Sequence, residues 1–176
     1  GVIRFVQAAK DFGIAPIVGV NLALDNSRVT LLAQSDGGWR SLCRLMSALR
    51  PDRNPPTLHL EKIKTLSEYT SNLILLHGPD SQIANLITKH RPDQAIYEYN
   101  KYRPYFADSV IECVSHLAPG DGPRSTGHAG RMLGFARDHD LPAVITNGVR
   151  MLDAADGPIA DILDADRKST RLNSSH

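Results

Sequence analysis

The chain has 176 residues, 41% of them hydrophobic and 22% charged, with a formal net charge of +1. That size and balance suit one globular domain with a real core, or part of a larger one. No apolar run approaches the ~18 residues of a membrane span, and the start lacks the charged head and apolar stretch of a signal peptide. Cys43 and Cys113 have no second cysteine at a metal-knuckle spacing, which excludes a zinc ribbon, and they read as reduced packing residues of a cytosolic protein.

In chain order, Val2, Phe5, Val6 and Ala9 repeat at helical spacing, and Gly13 stands where a helix stop belongs. Ile14 to Leu24 is a strand with Val18, Val20, Leu22 and Leu24 on one face. A turn at Asp25-Asn26-Ser27 leads into a second strand, Arg28 to Gln34. Asp36 is placed to N-cap a helix striped by Trp39, Leu42, Leu45, Met46 and Leu49. Pro51 to Pro56 is a loop, Leu60 to Thr70 a short helix, and Leu73 to Leu76 an apolar strand. Ser81 to Lys89 and Pro92 to Tyr102 are helices separated by Arg91-Pro92. Ser109 to Ser115 is a strand, and Ala118 to Arg124 a loop rich in glycine and proline. Ser125 or Thr126 caps a helix whose inner face carries Ala129, Met132, Leu133 and Ala136, and Ala143 to Asn147 is the last strand. Strands alternating with helices predict an α/β fold with a parallel sheet covered by helices.

The final residues, Asp166 to His176, have no apolar period and one large apolar side chain, Leu172. They resemble a translated read-through of a sequencing adapter, and the bland alternative is a polar tail; both readings set 166–176 aside as non-native to the fold. Without them 17 basic face 18 acidic residues, a net of −1, so the segment shows no electrostatic footprint for nucleic acid.

Five phrases, in order and sensibly spaced, carry a resemblance. GVIRFVQAAKDFGI resembles a helix of type G-x-x-x-F-x-x-A-A-x-x-x-G-I, and Gly19-Val20-Asn21 occupies the G-x-E place after it. VTLLAQSDGGWRSLCRL, LILLHGPDSQI, SVIECVSH and LPAVITNGVRMLDAADG are similar to further family phrases. The family is the PHP domain of bacterial C-family DNA polymerase α subunits, replicative or error-prone. The resemblance implies an incomplete PHP-type distorted parallel β/α barrel, TIM-like, over residues 1–165, with its first two metal motifs upstream of Gly1. It also implies a cytoplasmic parent protein, nucleoid-associated, that synthesises DNA in replication or repair.

Intact domains of this family hold several metal ions on His, Asp, Glu and Cys side chains at the barrel mouth and hydrolyse phosphoesters. Here the resemblance aligns the ligand positions with Asn21, Arg28, Pro79, Gly148 and Arg150. Arginine is always charged and has no lone pair to give a metal; proline and glycine have no ligating side chain. The implied site is degenerate: no catalytic residue and no metal are expected in this segment. Mg²⁺ belongs to a polymerase region absent here.

Three residues remain as barrel-mouth candidates. His77 follows an apolar strand and reads as a leftover ligand or a hydrogen-bonded structural histidine. Glu112 and His116, four apart on one strand, read as an acid/base pair or a satisfied polar pair. The tyrosines 97, 99, 102 and 105 with Phe106 are read as helix packing rather than a base-stacking platform. The expected partners are the remainder of the polymerase chain and a proofreading or accessory protein, with DNA reached only through the parent and no membrane. The alternative is a stand-alone PHP-family metal-dependent phosphoesterase.

Overall fold

A computed structural model describes residues 1–25, 27–49, 57–149, 151, 153–159 and 162. Asn26, Arg150, the Pro51 to Pro56 loop and the 166–176 tail lie outside the described residues. The chain divides into two compact units, Gly1–Thr146 and Asn147–His176. Within the second, Gly148 takes a positive φ of 53°, and Ala154–Asp156 forms a 3₁₀ turn.

The first unit opens with α1 (Val2–Asp11), stopped at Phe12 and at Gly13, whose φ of 69° only glycine adopts without strain. The hairpin β1 (Gly19–Leu24) and β2 (Ser27–Ala33) follows, then α2 (Asp36–Leu49) and the short edge strand β3 (Thr57–Leu58). Residues 60 to 70, expected as one helix, form α3 (Leu60–Thr65) and α4 (Ser67–Thr70), broken at Leu66. β4 (Leu73–His77), α5 (Gln82–Thr88), α6 (Pro92–Tyr102), β5 (Asp108–Val114), α7 (Thr126–Asp138) and β6 (Ala143–Thr146) complete the unit.

The six strands form one sheet in the order β3-β1-β2-β4-β5-β6. It is mostly parallel: β1 with β3, β4 with β5, and β5 with β6. Strand β2 alone runs against both its neighbours. Against β1 the reason is local, because the turn after Leu24 is far too short for the crossover that a parallel partner requires. The mixed α/β sheet agrees with a partial PHP barrel, and it is not closed among the described residues.

Strand alternation gives this sheet two unlike faces. Leu22, Leu24, Val29, Leu31, Leu73, Leu75, Ile111 and Cys113 point to one side and are buried. There the first strands pack on Leu42, Leu45 and Leu49 of α2, with Ile63, Tyr102 and Phe106. β5 packs on Ile83, Ala84, Tyr99, Met132 and Phe135 from the helices α5, α6 and α7. The opposite face carries Asn21, Arg28, Thr30, Leu32, Ile74, Glu112 and Thr146, which are not buried, together with Leu76 and Val114, which are.

The helices are set by identifiable side chains. The first turn of α2 is capped by Ser35 Oγ, which accepts from Gly38 N; Asp36, expected as the cap, is already inside the helix. Gly38 is where α2 meets the sheet: a Cβ there would lie 2.6 Å from the Asn72 carbonyl. Ser81 caps α5 and Ser125 caps α7 through their hydroxyls. The buried face of α7 is His128, Met132, Phe135 and Ala136; Leu133, expected inside, is 45% exposed. Cys113 is buried packing as expected, whereas Cys43 is exposed on α2. Tyr99, Tyr102 and Phe106 are buried in the core, while Tyr97 is exposed.

Candidate functional site

The C-terminal ends of the parallel strands are where an open or barrel-like parallel sheet presents its ligands. Asn21 and Arg28 meet there across the β1–β2 hairpin. Arg28 Nε donates to Asn21 Oδ1 at 3.0 Å, and Asn21 Nδ2 reaches Thr30 Oγ1 at 3.4 Å. The β1–β2 register pairs Asn21 with Thr30, and Arg28 lies two residues before Thr30, so all three side chains share the face away from the helices. Arg28 N also donates to the Asp80 carbonyl at 3.2 Å, tying the start of β2 to the turn after β4.

That turn is Gly78-Pro79-Asp80. Gly78 is buried with Glu112 against it, and any Cβ at this position would run into Glu112 Oε2. The other carboxylate oxygen of Glu112 accepts from Thr146 Oγ1 at 2.8 Å, linking β5 to β6. Asp80 pairs with Arg124, the residue before the α7 cap, so the loops after β4 and β5 are clasped together. The result is a band of polar groups across the strand ends, each bonded to a neighbour.

His77 takes the second of its two readings, a hydrogen-bonded structural histidine, and not that of a ligand at the barrel mouth. It is in phase with Leu73 and Leu75 and is buried on the helix-covered face. Its Nε2 lies 2.8 Å from Ser109 Oγ, and its ring is tilted against Tyr99 with centroids 5.6 Å apart. Burial alone lowers its pKa to about 3, so the imidazole is neutral at physiological pH. Glu112 lies on the opposite face, and the two are not brought together. His116 falls beyond the last residue of β5, in the exposed loop, where strand alternation no longer relates it to Glu112. Its backbone N–H donates to the Arg124 carbonyl at 2.8 Å. Of the aligned ligand positions, Asn21 and Arg28 touch each other, Pro79 sits in the turn after β4, and Gly148 lies in the second unit. Among the described residues, no group of three or more His, Cys, Asp or Glu side chains is arranged to hold a metal ion.

A second charged locus had no forewarning in the sequence. Asp25, at the hairpin tip with a φ of 48°, accepts from the Tyr102 hydroxyl and lies 2.9 Å from His59 Nδ1 and 3.5 Å from Lys101 Nζ. Burial pushes its carboxyl pKa up, but the Tyr102, His59 and Lys101 contacts outweigh that and hold it below the usual value. Burial, and after it the same contact with Asp25, drives the Tyr102 phenol pKa upward. Asp25 is thus a hub that fastens the hairpin tip to β3 and α6. No sequence signal marks it, because an aspartate in a turn is ordinary and its partners are 34 and 77 residues away.

The comparisons with known proteins show the family. A family model described as "PHP domain" matches residues 1–116. The chain belongs to the PHP domain family. The PHP domain is similar to the error-prone DNA polymerase of Symbiobacterium thermophilum, at 30% identity over 100% of this chain and 18% of that protein. It is 26% identical to the DNA polymerase III subunit alpha of Vibrio cholerae, over 85% of this chain and 13% of that one. The same subunit of Buchnera aphidicola is 29% identical over 92% of this chain and 14% of its own length. The chain therefore spans less than a fifth of the length of the polymerases it matches, and the similarity is to their PHP region. No helix among the described residues is long and apolar enough to cross a membrane.

Proposed function

We propose that this PHP domain is a structural and interaction module of a DNA-directed DNA polymerase chain, replicative or error-prone, and that its metal site is degenerate. The observation that carries the reading is the Arg28–Asn21 hydrogen bond at 3.0 Å. Two positions where the family resemblance calls for metal ligands are bonded to each other instead. The side-chain carbonyl of Asn21, which alone of the five aligned side chains offers a donor oxygen, is engaged by a permanent cation. A divalent ion placed there would meet positive charge as well as a poor donor set, so these residues do not fit one.

In place of coordination bonds, the strand ends are joined by Arg28–Asn21, Arg124–Asp80 and Thr146–Glu112. Such links hold a shape without supplying a nucleophile or a proton relay. Nucleotidyl transfer, with its Mg²⁺, belongs in this reading to the rest of the polymerase chain, which also brings the DNA. The module's own contacts are with that chain and with a proofreading or accessory protein.

The test uses the full-length parent polymerase carrying Arg28→Ala or Asn21→Ala. The expected result is a lower unfolding temperature with proportionate loss of primer extension, and no phosphate release from an ester substrate in Mn²⁺ by either variant or by the unaltered protein. Metal-dependent phosphate release that disappears in Asn21→Ala would sink the reading and favour a working phosphoesterase.

A further inference from the structure

We draw no further inference here: the strongest candidate, the cleft between the β1–β2 hairpin tip, β3 and α6 that is lined by Asp25, His59, Glu61, Glu98 and Lys101, carries nothing because Asp25 is already taken up by His59, Lys101 and Tyr102 and nothing in the structure points to a ligand.

Discussion

At the scale of single residues, two buried groups set how this domain responds to pH and to substitution. His77 is fully desolvated beside Tyr99 and Ser109 and has a folded pKa of about 3, against roughly 6.5 when unfolded. The depressed value means that the unfolded chain binds the proton more readily. Stability from the neutral imidazole is therefore present above pH ~6.5 and is lost as pH falls toward 3, by up to ~1.4 kcal/mol per pH unit. His128, lowered mainly by burial and then by Arg131, acts in the same direction. Urea unfolding midpoints measured from pH 7 to pH 4 should fall steadily. His77→Gln, which does not titrate and can still bond Ser109, should flatten that slope; an unchanged slope would remove His77 from the explanation. At the hub, Tyr102→Phe deletes the hydroxyl that bonds Asp25. The expected cost is about 1–2 kcal/mol in the same urea assay.

The elements show how close helices approach the sheet and which of them are held by a single feature. α2 lies on β2 and on the turn before β4 with no space for a methyl group at Gly38, where the Asn72 carbonyl and the Ala33 backbone are in the way. Gly38→Ala must push the helix outward and should destabilise by about 1–3 kcal/mol, despite the better helix propensity of alanine. A variant as stable as the parent in chemical denaturation would show that α2 is not seated as described. α7 relies on Ser125, whose hydroxyl accepts from His128 N at 3.1 Å, and Ser125→Ala should cost about 1 kcal/mol.

The same elements show what could be read from the chain and what could not. The sequence of α6 placed that helix to the residue, because Pro92 suits its first turn, whereas β1 was placed only at its end: the strand expected from Ile14 begins at Gly19. The face of β4 was not legible. Leu73, Ile74, Leu75 and Leu76 are apolar without alternation, so nothing told whether His77 pointed to the mouth or to the helices. Leu133 fell on the wrong side of α7 for a related reason: Phe135 and His128 shift its buried stripe, and a histidine is not counted as apolar. Asn21 and Arg28 could be named from the family phrases, but their bond to each other depends on hairpin register. The Asp25 hub depends on contacts across 34 and 77 residues and has no local trace.

Over the described residues, several large apolar side chains at the start of the chain stand apart from the two cores. Ile3, Phe5, Phe12, Ile14 and Ile17 on and after α1 are 57% to 82% exposed, although the helical period of α1 is clear. Exposed apolar area of this kind promotes association in water. The isolated 176-residue chain is expected to self-associate with rising concentration in sedimentation velocity, and Phe5→Lys with Phe12→Lys to suppress it. Concentration-independent monomers of the unaltered chain would contradict the expectation.

In the proposed reading the strand ends of this domain are held by side-chain bonds rather than by metal. The most direct measurement is the metal content of the full-length protein that carries this domain, by mass spectrometry after exhaustive dialysis, beside its Asn21→Ala variant. Neither protein is expected to retain zinc, manganese or iron. One or more equivalents retained by the unaltered protein and lost in Asn21→Ala would contradict that reading.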